Sequence, residues 1–256
     1  MKKKFVKIII CTVLALTISG GSIIANAAEN TLLNAQEVNN NLDIEQMIEK
    51  PTEEDLIANE EKMKLAEEYI QNKKKARGYG YLVTLANGSY QTAIQQQGYW
   101  CGPAAAYNAT NGKRTQSQYA MDFATSESVG TRFKNTWKYV MDTDRPGNNY
   151  TLSWGSNYSY ADWKAHLKNS IIYTIDKRYP VIADTYITSD SSTWLHSGYD
   201  YATSTYHYVV VVGYDDSITA AEALIVDSNP RSGIPVKYWT TIDKLAKASQ
   251  TFGIVW

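Results

Sequence analysis

Cys101 and His207 are the side chains of this sequence best suited to covalent catalysis near neutral pH. The chain has two cysteines, and the other, Cys11, lies in an N-terminal apolar run. If that run is removed on export, the mature chain keeps one thiol. An intrachain disulfide and a zinc site built on cysteine pairs are then excluded. Cys101 sits in the run Gln95-Gln96-Gln97-Gly98-Tyr99-Trp100-Cys101-Gly102-Pro103-Ala104-Ala105-Ala106. Pro103 suits the first turn of a helix but not its interior, and three alanines follow, so the pattern predicts a helix starting at Cys101. At a helix N-terminus the macrodipole and free N–H groups favour thiolate over thiol. The Cys101 N–H could donate to an oxyanion, and a polar side chain just upstream, such as Gln95, could be the second donor. Gly102 is expected to leave room for an approaching carbonyl. The competing reading is a buried, inert cysteine, which is common; the helix-start position and the upstream glutamines favour the nucleophile.

A thiolate nucleophile needs an imidazole partner, and the chain has three histidines. His166 falls mid-helix between Ala165 and Leu167, which suits a structural or exposed role. His196 falls in a loop rich in Ser, Thr, Tyr and Asp. His207 opens the run Val209-Val210-Val211-Val212-Gly213, and a base on a rigid central strand is positioned better than one on a loop. His207 is therefore the first candidate and His196 the second. The imidazole needs an acceptor to orient it. Leu224-Ile225-Val226-Asp227-Ser228-Asn229-Pro230 reads as a strand ending in polar residues. If it pairs with the His207 strand, Asp227 comes near the ring; Asn229 could serve similarly. The same residues are also turn formers, and the two readings are compatible.

The elements that must carry these residues follow from periodicity. Helices are predicted over 101–111, ended by Gly112, and over 115–125 and 131–141. A fourth is capped by Ser159 with Asp162 and carries Trp163, Leu167 and Ile171 on one side. Strands are predicted over 181–187, 207–214, 224–226 and 252–255, the second buried on both faces. Helices come first and strands cluster late, which argues for an α+β fold. All seven Trp and nineteen of the twenty Tyr lie after residue 78, so 78–256 is expected to form the one buried core.

Upstream, Lys2, Lys3, Lys4 and Lys7 precede an apolar core from Ile8 to Ile18, and Ala25-Asn26-Ala27 is a small-x-small site. Residues 1–27 therefore read as a signal peptide, with a mature start at Ala28 and a bacterial, secreted address. The run is too short to span a bilayer, so no stable membrane insertion is expected. Residues 28–77 carry twelve acids against seven bases. They read as a polar flexible stretch over 28–50 followed by a helix over 52–77, capped by Thr52 and Asp55 and closed by Lys73, Lys74, Lys75 and Arg77. That helix is either a solvated spacer or a removable prosegment. Residues 78–256 hold fourteen acids and fourteen bases; the absence of a basic stripe excludes duplex nucleic acid as the expected partner. No metal cluster or phosphate loop is evident, so no cofactor is expected.

Taken together, QQQGYWCGPAAA around Cys101, HYVVVVGYDD from His207 and VDSNP around Asp227 resemble the papain-like cysteine peptidases. The likeness is to the branch containing the bacteriocin-leader (double-glycine) peptidases and their stand-alone secreted relatives, and it covers roughly 90–256. It implies a papain-like fold with the nucleophile helix packed on a late antiparallel sheet. It also implies Cys101 as nucleophile, His207 as general acid/base, Asp227 as its orienter and Gln95 as oxyanion donor; Gln96 and Gln97 are alternatives to Gln95. Family members that process bacteriocins are fused to transporters and this chain has none, so substrate is not carried over. The Tyr/Ser/Thr stretch 185–206 has no counterpart in the resemblance. The expected function is a secreted cysteine peptidase acting on a peptide or protein. The alternatives are a thiol amidase or acyl transferase on cell-wall peptides, and a non-catalytic peptide- or glycan-binding module.

Overall fold

The computed structural model describes residues 44–77, 80–229, 231 and 233–256. The expected signal peptide, the stretch 28–43, Gly78 and Pro230 lie outside the described residues. A helical turn, Ile44–Met47, precedes α1 (Glu53–Arg77); α2 (Cys101–Ala109), α3 (Gln116–Phe123), α4 (Thr136–Asp144), α5 (Tyr160–Asp176) and α6 (Ile242–Ser249) follow. The strands are β1 (Leu82–Thr84), β2 (Leu152–Trp154), β3 (Val181–Thr188), β4 (Ser204–Asp215), β5 (Glu222–Asp227), β6 (Lys237–Thr241) and β7 (Gly253–Val255). They form one antiparallel sheet in the order β2-β7-β3-β4-β5-β6, with β1 also paired to β4. The architecture is the α+β class expected.

β4 organises the sheet. Its Val209–Val212 run is fully buried, as β-branched side chains covered on both faces should be. β3 pairs along its first two thirds, from Thr188↔Ser204 to Val181↔Val211. β1 then takes over that edge, with Val83 opposite Tyr214. A Cβ on Gly213 would stand 2.9 Å from the Val83 carbonyl, so the handover requires glycine. α2 and α5 pack against β4, and α6 against β3.

Helix starts follow local chemistry. Thr115 and Gln118 make a reciprocal capping box before α3, and Ser159 accepts from the Asp162 N–H before α5. At α1, the Thr52 N–H donates to Asp55 (2.9 Å) and the Asp55 N–H donates back to Thr52 Oγ1 (3.2 Å). α1 is tied to the body of the protein. Ala66 and Ile70 are buried, and Lys73 Nζ reaches Asp176 and Tyr214, each at 2.5 Å. Lys62 Nζ donates to the carbonyls of Trp256 (2.5 Å) and Asn149 (2.9 Å). Burial pulls the Lys62 ammonium down to about 7.

One predicted helix is shortened. The stretch 131–135 is not helical; Phe133 instead pairs in parallel with Ile48, and the helix begins at Thr136. Among the described residues, no helix is long and apolar enough to cross a membrane, and no group of three or more His, Cys, Asp or Glu could hold a metal ion.

Candidate active site

Cys101 is the first residue of α2, and no side chain caps that helix. Pro103 has no N–H and the Ala104 N–H donates to the Trp100 carbonyl at 2.9 Å, so the N–H groups of Cys101 and Gly102 are the ones without an intrahelical partner at the end of a helix that favours negative charge. Pro103, Ala104, Ala105 and Ala106 are buried, which fixes the helix and hence the thiol. The expected role of Gly102 is corrected. A Cβ there would lie 2.5 Å from the Thr131 side chain, so Gly102 admits a buried threonine, not a reacting carbonyl.

β4 and β5 deliver the other two groups. Their register sets Val209 opposite Asp227, and the two-residue strand period places His207 on the same face as Val209. The Asp227 carboxylate reaches diagonally to the ring, with His207 Nε2 to Asp227 Oδ1 at 2.7 Å. That leaves Nδ1 for the cleft that His207 lines together with Cys101. The Thr185 hydroxyl donates to the His207 carbonyl at 2.6 Å and pins the main chain from β3.

The electrostatics of this buried set are settled by partners. Burial disfavours the imidazolium, but the Asp227 charge and hydrogen bond, helped by Cys101, raise His207 to about 10. Burial likewise disfavours the Asp227 carboxylate. The His207 charge and hydrogen bonds from His207, Tyr238 and the Asn229 N–H overcome it and hold the carboxyl below its ordinary range. Asp227 Oδ2 accepts from Tyr199 (2.7 Å) and Tyr238 (2.6 Å), while Oδ1 also accepts from the Asn229 N–H (2.9 Å). A carboxylate so saturated is both charged and immobile. The imidazole and the Cys101 sulfur thus line one cleft, with the sulfur at a helix start.

Of the three consecutive glutamines, Gln95 is buried and lines the cleft, while Gln96 and Gln97 are exposed. Its N–H donates to the Ser228 carbonyl at 2.9 Å. Gln116 clasps the flanking chain, donating to the Ile94 carbonyl and accepting from the Gln96 N–H, each at 2.9 Å. Gln95 Nε2 donates to the carbonyls of Gly98 (2.7 Å) and Gln97 (3.1 Å). The cleft is lined by Gln95, Cys101 and His207 together with Met47, Val129 and Thr131, among others.

The remaining candidates fall elsewhere. His196 Nδ1 accepts from the Gly198 N–H at 3.0 Å and its ring lies 5.0 Å from that of Tyr238. His166 bonds to Ser153 Oγ at 2.8 Å and stacks on Trp163. The Asn229 amide donates to Tyr201 and its carbonyl oxygen accepts from the Arg231 N–H, so Asp227 rather than Asn229 meets the imidazole. Sequence reasoning did not anticipate Tyr199, Tyr238 or Thr131. Tyr199 comes from the stretch 185–206, which therefore supplies part of the site.

The family model described as Peptidase_C39 like family matches residues 88–253, a span that contains all four candidate residues. No curated protein matches the chain.

Proposed function

The chain belongs to the Peptidase_C39 like family, and on that premise we propose that it is a secreted cysteine peptidase cleaving peptide bonds through a Cys101–His207–Asp227 relay. The observation that carries the proposal is a single cleft lined by Cys101, His207 and Gln95, in which the His207 ring is held by Asp227 at 2.7 Å.

In this reading Cys101 Sγ attacks the scissile carbonyl as a thiolate. The carbonyl oxygen becomes an oxyanion, held by the Cys101 N–H and by Gln95 Nε2. Gln95 is free to do this by exchanging the longer of its two carbonyl bonds, at 3.1 Å to Gln97. His207 gives its proton to the departing amine, and the C–N bond breaks to leave a thioester on Cys101. His207 then takes a proton from water, the resulting hydroxide displaces the thioester, and the acid is released with the thiolate regenerated. Asp227 keeps the ring in one orientation and its charge balances the imidazolium.

Cys101→Ala is expected to abolish cleavage in a peptide-library screen and to remove labelling by a thiol-directed active-site reagent. Retention of full activity by Cys101→Ala would end the proposal. Release of wall fragments without peptide cleavage would move the function to the amidase alternative. Export is tested by N-terminal sequencing of secreted protein; a start at Ala28 is expected, and mature protein still beginning at Met1 would contradict it.

A further inference from the structure

The cleft beside Cys101 already holds a side chain from outside the family-matched region. Met47 is 3% exposed and lines that cleft with Cys101, Gln95 and His207. Its main chain is held as a bound peptide would be. The Phe133 N–H donates to the Met47 carbonyl at 2.9 Å and the Glu49 N–H donates to the Phe133 carbonyl at 3.0 Å, one rung of a parallel ladder. Strand addition of this kind supplies generic backbone affinity, and the pocket under the side chain supplies selectivity.

Two further contacts hold the segment from its C-terminal side: Trp154 Nε1 donates to the Glu49 carbonyl at 2.9 Å, and the Asn135 amide donates to Asp55 at 2.7 Å. Beyond Thr52 the chain is anchored through α1. The helical turn Ile44–Met47 thus runs into a single parallel bridge at Ile48, and the buried Met47 side chain lines the catalytic cleft.

We propose that the seat filled by Met47 is a substrate subsite for a peptide bearing an apolar side chain of Met or Leu size, and that residues 46–49 occupy it as a built-in competitor. The inference rests on the peptidase reading for the identity of the natural occupant. The seat itself rests only on the geometry. A tethered competitor reduces apparent affinity by the fraction of molecules in which the cleft is closed, so loosening it lowers KM and leaves kcat nearly unchanged.

The test uses the full chain with Met47→Leu, Met47→Ala and Met47→Asp. The readouts are the rate of Cys101 alkylation by iodoacetamide and the steady-state constants on cleaved peptides. Met47→Leu is expected to match the parent. Met47→Ala and Met47→Asp are expected to alkylate and to turn over substrate about ten-fold faster in kcat/KM, through KM. Free peptide Ile-Glu-Gln-Met-Ile-Glu is expected to protect Cys101 in Met47→Asp and to compete with substrate, whereas the same peptide with Asp in place of Met is not. Faster alkylation without protection by the peptide would mean that Met47 serves only as packing and would overturn the proposal, as would unchanged rates in both Met47→Ala and Met47→Asp. Protection by the peptide with no peptide bond cleaved by any variant would leave the subsite standing and defeat the peptidase reading instead.

Discussion

Two histidines lie buried in this protein, and their surroundings shift their protonation in opposite directions. His166 on α5 is enclosed by Trp163, Tyr158 and Trp256 rings and bonded to Ser153. Burial pushes it down to about 4. His207 on β4 is 1% exposed, yet Asp227 raises it to about 10. Two buried aspartates repeat the contrast. Asp184, on β3, has no hydrogen-bond partner on Oδ2, and burial raises it well above the ordinary carboxyl range. Asp227, saturated with donors, is held low. Burial alone therefore neutralises a titratable group here, and charge survives only where an opposite charge and several hydrogen bonds were built in with it.

The strongest challenge to this contrast is exchange of the rings. His207→Gln is expected to reduce kcat/KM by about a thousand-fold or more, and His166→Gln to leave it within a few-fold; comparable losses in both would erase the distinction. Asp227→Asn keeps the shape and removes the charge. It should cost about 10²- to 10⁴-fold in kcat/KM and drop His207 towards the behaviour of His166, visible as a lowered imidazole titration by NMR.

Stability against pH separates the two rings next. His166 is depressed from 6.5 to about 4, so the unfolded chain binds its proton first as pH falls. Stability should decline between about pH 6.5 and 4, and denaturant titrations of His166→Gln should show a shallower decline. His207 is raised from 6.5 to about 10, so its contribution is complete below pH 6.5 and is lost as pH climbs through 10. A smaller effect is expected from the phenols. Tyr199→Phe or Tyr238→Phe removes one donor from Asp227 Oδ2 and should lower kcat/KM about three- to thirty-fold, with a lowered His207 titration. Asp184→Asn should have the smallest effect, since burial already disfavours its charged form. A stability change below about 1 kcal/mol at pH 7 is expected from denaturant curves.

Which histidine was which could be read in the sequence only through its element. The Val209–Val212 run announced a buried strand and Pro103 announced the helix start, so the placement of Cys101 and His207 was legible. Asp227 was legible as a strand end, conditional on a pairing that the register then supplied. The donors Tyr199 and Tyr238 were not, because each reaches Asp227 across the fold from segments with no local signal for the contact. β6 was overlooked although Tyr238 and Thr240 alternate with exposed Lys237 and Trp239, a period-two pattern. The start of α4 was misplaced because a long-range rung between Ile48 and Phe133 overrode the helical tendency of 131–135. The left-handed Gly130 (φ 72°) also separates that stretch from the loop before it.

The division of the site between layers has a kinetic consequence. Cys101 rides on α2, while His207 and Asp227 ride on neighbouring strands whose pairing is local to the sheet. The His–Asp pair can therefore form as soon as β4 and β5 zip together, but the sulfur meets the ring only when a helix from much earlier in the chain docks on β4. Closing that long loop is the entropically expensive event. In a refolding experiment, recovery of thiol reactivity would report helix docking and lag behind recovery of β signal, so the reactive centre doubles as an internal clock for the last tertiary contact.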